Sequence, residues 1–310
     1  MTFLRHALVC AALSASLSAA VPSQPASYAS ATCEKAGSSE NTWSARNLKT
    51  IETIYDLTVY PKNVPVITGG DASVPPNLFS SNATGRFSPV GEFVGFSEAW
   101  ESFFAFAPAP RNGSGLAIYK ADVVNFVSAC PEVASSVVYL RTGIVSESGE
   151  LDRSAPTSTL SQIVFWRFDD QGAVEKYQAW SPNVQAWTQA STGIDYSNMT
   201  IQQMAPQGLC PQIQSICTGS AQQFSSVEDC STQLSSKPFG SFDEAWGDNL
   251  ACRTVYLTLA ASRPEKHCPS VGSTGGGKCV AIDYSIDYYD DAHLFNAPEG
   301  SVFTCPEPFA

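Results

Sequence analysis

The placement of cysteines most restricts how this chain can fold. Of the 10 cysteines, Cys10 lies in an apolar N-terminal run and seven follow residue 209. This clustering predicts a disulfide framework, which requires an oxidising compartment. Nine cysteines lie beyond the N-terminal run, so we expect four disulfides and one free thiol. Cys130 is the expected free thiol, because it follows an apolar strand and could be buried as a small hydrophobic side chain. The candidates for pairing are Cys33, Cys210, Cys217, Cys230, Cys252, Cys268, Cys279 and Cys305.

The N-terminus has the composition of an export signal. Arg5 and His6 form a polar start, and the uncharged run that follows ends in Ser18-Ala19-Ala20, which suits a signal peptidase. Residues 1–20 are therefore predicted to be a signal peptide, and residues 21–42 a flexible lead-in rich in Ser, Ala and Pro. We expect a secreted, extracellular glycoprotein. The predicted glycosylation sites are Asn82, Asn112 and Asn198.

The charge balance excludes two classes of partner. The chain has 17 Lys and Arg against 29 Asp and Glu, a formal net charge of −12, and loss of Arg5 with the signal would make it more negative. An acidic surface repels phosphate and anionic lipid, so neither nucleic acid nor a membrane is expected as a partner. No stretch after residue 20 has the ~20 apolar residues that a membrane-spanning helix needs.

Helical periodicity comes first along the chain. Apolar residues at helical spacing predict helices over residues 45–60 and 97–106, which Pro61 and Pro108 end. Residues 62–91 lie between them and are rich in Gly, Pro, Asn and Ser, so a loop is predicted there.

Extended periodicity follows the two helices. The turn Asp169-Asp-Gln-Gly172 is short and contains glycine, which predicts a hairpin between the strands on either side of it. Helices followed by antiparallel strands predict an α+β domain whose helices cover one face of the sheet. The predicted strands are residues 116–127, 136–146, 159–168 and 173–180.

Three segments of this first region resemble one family. They are Ile51-Glu-Thr-Ile-Tyr-Asp-Leu57, Phe96-Ser-Glu-Ala-Trp100 and the hairpin from Ile163 to Tyr177. The pattern resembles the NTF2-like superfamily, in its SnoaL-like branch, over residues 43–187. The resemblance implies a cone of helices on a curved antiparallel sheet, whose mouth holds a small apolar ligand. It implies isomerase, cyclase, dehydratase or epoxide hydrolase chemistry, or binding alone.

The rest of the chain lies outside this pattern. Residues 188–209 are polar and are predicted to form a linker, and residues 210–310 a cysteine-rich region of helices and loops. Capping boxes at Ser225-x-x-Glu228 and Ser241-x-x-Glu244 predict two helix starts, and residues 280–289 an extended piece. The region resembles C-terminal extensions of secreted fungal proteins.

Acid–base chemistry in the first region would have to use carboxylates, because no histidine lies between the first helix and residue 266. Asp122 is predicted to share a strand face with Val124 and Phe126, where apolar neighbours would raise its pKa. Arg141 is its expected neighbour, and Asp56 on the first helix is a second candidate. The alternative is a salt bridge on an exposed sheet face. The aromatic residues expected to line the pocket are Tyr55, Trp100, Phe103, Phe126, Trp166 and Tyr177.

Other motifs in the sequence predict no metal or cofactor site. The loop Gly272–Lys278 resembles a phosphate-binding loop, but Cys279 stands where Ser or Thr would hold magnesium. The run Asp287–His293 fits no metal-binding spacing, and Gly95–Ala99 lacks the closing glycine of a hydrolase elbow. A glycosidase carboxylate pair has no fixed spacing and stays open, although the NTF2-like pattern argues against it.

Two functions remain. The first is a secreted pocket protein for a small apolar or aromatic molecule, which as an enzyme would be a cyclase, isomerase or dehydratase with no cofactor. The second is a non-catalytic secreted interaction or effector protein that binds through its cysteine-rich region. An enclosed cavity that reaches Asp122 would favour the first, and a mouth filled by residues 181–209 the second.

Overall fold

The computed structural model describes residues 43–110 and 113–306. Helix α1 (Trp43–Thr58) forms where apolar spacing predicted it and buries Ile51, Ile54 and Tyr55. Helix α2 (Asn63–Gly69) follows, and α3 (Phe96–Phe104) confirms the second predicted helix. Within the described residues no helix is long and apolar enough to cross a membrane.

Six strands form one curved, open sheet in the order β2-β1-β6-β5-β4-β3. Neighbouring strands are antiparallel except β1 and β6, which are parallel. The hairpin between β5 and β6 is confirmed, with Asp169 accepting hydrogen bonds from two backbone N–H groups of the turn. The strands are β1 (Phe79–Ser88), β2 (Gly91–Val94), β3 (Gly115–Cys130), β4 (Val133–Val145), β5 (Ser158–Phe168) and β6 (Val174–Trp180).

The predicted loop over residues 62–91 is wrong, because it contains α2 and β1. Strand β1 reads Phe-Ser-Ser-Asn-Ala-Thr-Gly-Arg-Phe-Ser, which has little strand propensity of its own. The backbone pairing of β1 with β6 stabilises it as a strand. Gly85 is required within it, since a Cβ there would lie 2.3 Å from the ring of Tyr177.

The helices pack on one face of the sheet, called here the inner face. Buried aromatic rings fill the space between them: Phe103 of α3 stacks on Trp166 at 5.3 Å between ring centroids and meets Tyr177 edge-on at 5.0 Å. The same hydrophobic cluster continues into Leu209, Phe242 and other residues of the C-terminal part. The predicted α+β fold, with N-terminal helices on a curved sheet, is confirmed.

The C-terminal part is helical where a connector was predicted. Residues 188–209 lie largely within α4 and α5. The helices after the sheet are α4 (Val184–Thr192), α5 (Met199–Ile216), α6 (Val227–Leu234), α7 (Leu250–Ala260), α8 (Pro264–Val271), α9 (Tyr284–Asp287) and α10 (Asp291–Phe295).

The predicted helix starts are displaced. Ser226, not Ser225, caps α6, and its hydroxyl accepts from the backbone N–H of Asp229. Ser241 caps only a short 3-10 turn, and α7 begins at Leu250 with Asn249 as its cap. The extended piece predicted at 280–289 is wrong, because it contains α9.

Four disulfides join the described cysteines, and the assignment of Cys130 as a free thiol is wrong. Cys130, at the end of β3, pairs with Cys305 across 175 residues. The segment that leads to Cys305 crosses the outer face of the sheet, where Phe303 packs near Phe165 and Arg167 donates to the Val302 carbonyl. Cys33 lies outside the described residues. The other pairs are Cys210–Cys230, Cys217–Cys268 and Cys252–Cys279.

A buried charge cluster fastens α8 to α3. Glu101 of α3 has a side chain only 2% exposed and lies 2.8 Å from Arg263, 2.9 Å from Lys266 and 3.2 Å from Nε2 of His267. Burial alone would raise the pKa of Glu101, but the neighbouring side chains of His267 and Lys266 outweigh it, so its pKa is lowered. The carboxylate therefore stays ionised and holds the two parts of the chain together.

Candidate functional site

An apolar cavity of about 330 Å³ lies on the inner face of the sheet, at the mouth of the cone. The cone contributes the larger share of the lining and the C-terminal part the rest. Apolar lining residues from the cone are Phe87, Phe103, Phe106, Ile118, Leu140 and Leu160. Those from the C-terminal part are Val184, Trp187, Tyr196, Phe242 and Val255.

Helix α4 forms part of the roof of this cavity. It has no fully buried residue, and residues in the left-handed region, Asn183 (φ 59°) and Gly193 (φ 73°), flank it. The indole N–H of Trp187 donates to the hydroxyl of Thr142 at 3.0 Å, which fixes the roof to the sheet. The segment of residues 181–209, which would fill the mouth in the non-catalytic alternative, thus covers the mouth and leaves a cavity beneath it.

The lining has hydrogen-bonding groups but no charged side chain. None of the residues that line the cavity is Asp, Glu, His, Lys or Arg. Gln162 of β5 is 4% exposed, and the hydroxyl of Tyr55 donates to its Oε1. Burial raises the pKa of Tyr55 well above its usual value, so the phenol remains a donor. A cavity of this kind favours an uncharged ligand, because an unpaired charge in such surroundings costs several kcal/mol or more.

One of the six predicted pocket aromatics, Phe103, lines the cavity. Tyr55, Trp166 and Tyr177 are buried around Phe103 and form the filled base of the cone. Trp100 packs against Phe104, and its indole N–H donates to Asp71 at 2.8 Å. Phe126 packs at the margin of the core and does not line the cavity either.

Asp122 lies on the outer face of the sheet. Its cross-strand partner is Tyr139, which is exposed between the buried Val138 and Leu140 of β4. The carboxylate is 2.6 Å from Lys120 and 3.1 Å from Nε of Arg141. Hydrogen bonds from these two side chains lower the pKa of Asp122, whereas an apolar cone would have raised it.

The predicted position of Asp122 is wrong because β3 is bulged. The register shifts between Ile118 and Lys120 and again between Val123 and Asn125. Each bulge changes which side chains face inward, so strict alternation from Ile118 fails after one residue. Ala121 and Val123, not Asp122, pack against the core.

Asp56 and Asp122 both line a polar groove of about 670 Å³ between α1 and β3. Asp56 is exposed there and forms an ion pair with Lys62 at 2.5 Å. The structure therefore brings the two predicted carboxylates to one open groove and keeps both out of the apolar cavity. Their catalytic role, with that of Arg141, stays a prediction.

The glycine-rich loop has a structural partner. Arg253, completely buried, donates to the carbonyls of Gly272 at 3.0 Å and Ser273 at 3.1 Å. Those carbonyls therefore bind the guanidinium group. In residues 43–110 and 113–306, no group of three His, Cys, Asp or Glu side chains is placed to hold a metal ion.

Two of the three predicted glycosylation sites can be located. Asn82 and Asn198 are exposed, and Asn112 lies outside the described residues. Asn198 caps α5 through Oδ1, which accepts from the backbone N–H of Thr200 and leaves the amide nitrogen open for a glycan. Glycosylation itself stays a prediction.

Sequence reasoning missed the residues that line the cavity most directly. Gln162 could have been found, because it is a polar residue at an inward position between the apolar Leu160 and Val164. Trp187 gave no comparable signal, because it lies in a polar stretch and only the tertiary structure shows that this stretch covers the cavity.

The chain resembles the BfoA family. Residues 172–283 match the sequence model of the BfoA family C-terminal domain, a span that runs from the turn before β6, through the roof, to Asp283. "Aurasperone B biosynthesis cluster protein A" of Aspergillus niger is 25% identical over 238 residues, which are 74% of this chain and 75% of that protein. "Bifonsecin B biosynthesis cluster protein A" of Aspergillus brasiliensis is 25% identical over 239 residues, 74% of this chain and 77% of the other.

Among solved structures, one similar chain is described as a SnoaL-like polyketide cyclase from Jannaschia sp. CCS1. It is 14% identical with a TM-score of 0.32, and the match covers 50% of this chain and 99% of the other. At that TM-score the likeness adds no argument of its own. The fold assignment rests on the strand order and on the helices of the inner face.

Proposed function

We propose that the protein binds a small, uncharged, largely apolar compound in the roofed cavity and promotes its cyclisation or isomerisation without a cofactor. The observation that carries this proposal is the cavity, which is apolar, contains hydrogen-bonding groups and has no charged lining residue. Ligand pockets commonly have about this volume and composition.

A cavity with these groups can act by orientation. Ring closure within a bound molecule gains from a fixed geometry, and well-oriented intramolecular reactions reach effective molarities of ~10⁵ M or more. A hydrogen-bond donor in dry surroundings also stabilises charge that develops on a carbonyl oxygen better than water does. No carboxylate or histidine lines the cavity, so the proposed reaction moves the proton of an acidic C–H or enol to water or to another atom of the substrate itself.

The names of the relatives support a role in making a small molecule, since both are biosynthesis cluster proteins. The predicted signal peptide and four disulfides also support a protein that works outside the reducing cytosol. Secretion is accordingly part of the proposal.

A cavity-filling substitution tests the proposal. Val184 lines the cavity from α4 and is only partly buried, so Val184→Trp should fill the space without disturbing the base of the cone. The neutral fluorescent probe N-phenyl-1-naphthylamine should bind the natural protein and lose at least tenfold in affinity in the variant, about 1.4 kcal/mol. Val94→Trp, at a valine 61% exposed, is the matched control and should bind normally. Equal binding by both variants would refute the assignment of the cavity.

A non-catalytic binding role is the second candidate, and one observation favours it. The cavity offers no titrating acid or base near neutral pH. Acid–base catalysis needs such a group, whereas binding a ligand does not. A natural compound that co-purifies with the protein distinguishes the two. Its conversion to an isomer on incubation supports catalysis, and its recovery unchanged supports binding alone.

A further inference from the structure

Two polar side chains stand side by side on the inner face of the sheet, within the cavity. The register pairs Ile163 of β5 with Trp180 of β6. The next step of this antiparallel register places Gln162 opposite Ser181. Both Ile163 and Trp180 are exposed, so their neighbours Gln162 and Ser181 point to the inner face, and both line the cavity.

The hydroxyl of Ser181 has no partner. The residue is 5% exposed, and its Oγ is buried without a hydrogen bond to any described residue. Its backbone N–H donates to the carbonyl of Ser88 at 3.0 Å, so the main chain here is fixed. An unsatisfied buried hydroxyl destabilises a folded protein unless a bound group accepts its hydrogen bond.

Gln162 is held so that its amide nitrogen remains available. Its Oε1 accepts from the hydroxyl of Tyr55. Two neighbouring polar groups have other partners: the indole N–H of Trp166 donates to Ser136, and the hydroxyl of Tyr177 is hydrogen-bonded to Ser102. No described residue accepts a hydrogen bond from this amide nitrogen. Because Gln162 lines the cavity, the nitrogen can donate to a bound ligand.

We propose that Gln162 and Ser181 form a two-donor site for one carbonyl oxygen of the ligand, with Tyr55 as the positioning residue for Gln162. The inference rests on the proposed function and deepens it, because it names the group that the cavity recognises. Cross-strand neighbours have Cβ atoms ~5 Å apart, so their two donors can converge on a single oxygen. Two such donors also polarise the C=O bond of an uncharged ligand.

The test uses two rigid probes that differ at one position: fluorene has a CH₂ group where 9-fluorenone has C=O. Competition against N-phenyl-1-naphthylamine should show that the natural protein prefers fluorenone by about tenfold or more, as expected for hydrogen bonds to a buried acceptor. The infrared C=O stretch of bound fluorenone should move to lower wavenumber than in an apolar solvent.

Substitutions then assign the preference to the two residues. Ser181→Ala should abolish most of it and should not lower the unfolding temperature, because the variant loses an orphan hydroxyl. Tyr55→Phe/Gln162→Leu removes the second donor together with its holder, so no group is left unpaired. Ser80→Ala is the matched control, since Ser80 also has a buried hydroxyl without a partner but does not line the cavity. It should keep the full preference.

The outcomes separate this inference from the proposed function. Equal affinity of the natural protein for both probes, or a preference that survives in Ser181→Ala and in the double variant, would overturn the two-donor site alone. Failure of both probes to bind would overturn the cavity function on which the site depends.

Discussion

Glu101→Gln is the substitution that best measures what joins the two parts of the chain. The variant keeps the shape of a side chain that is 2% exposed but removes its charge, so Arg263 and Lys266 lose their buried counter-ion. Breaking a buried ion pair costs ~3–5 kcal/mol. The two cations are about a quarter exposed and Asp71 lies 3.8 Å from Arg263, so the lower end, ~3 kcal/mol, is expected.

Thermal unfolding monitored by circular dichroism, with the disulfides kept oxidised, measures the effect. A loss of ~3 kcal/mol should lower the unfolding temperature by roughly 6–12 °C in a domain of this size. Asp56→Asn is the control, because it removes one member of an exposed ion pair, for which ~1 kcal/mol or less is expected. Equal unfolding temperatures for the two variants would refute the claim that the buried cluster fastens α8 to α3.

Three further predictions follow from the structure. Because the folded-state pKa of Glu101 is lowered, its stabilisation is complete above its unfolded pKa near ~4.3 and is lost as the pH falls through the folded value. The unfolding temperature should therefore hold from pH 7 to about 5 and fall below about 4, and a fall of equal size in Glu101→Gln would contradict this. Cys130→Ser/Cys305→Ser opens a 175-residue loop and should cost ~2–5 kcal/mol in denaturant unfolding; an unchanged midpoint would argue against the pairing. Asp122→Asn should bind N-phenyl-1-naphthylamine normally, because Asp122 does not line the cavity, and weakened binding would contradict that placement.

Local patterns determined much of the first region. The apolar spacing of α1 and α3 and the hairpin turn after Phe168 can be read without the fold, because helix periodicity and turn chemistry depend on near neighbours. The clustered cysteines likewise predicted a disulfide framework, since their number and compartment need no coordinates. Which cysteines pair with each other does require the coordinates. Cys130 is an example, because its partner Cys305 is 175 residues away in the sequence.

Tertiary structure decided the rest, including the site. Strand β1 exists because β6 offers it a parallel partner, and neither sequence alone shows that pairing. The bulges of β3 turn Asp122 outward, and a bulge depends on how two strands fit together. The sequence by itself determined an α+β cone with an apolar interior. Only the packing of α4 and α7 over its mouth decided where a cavity remains, since the void between elements depends on how distant side chains meet.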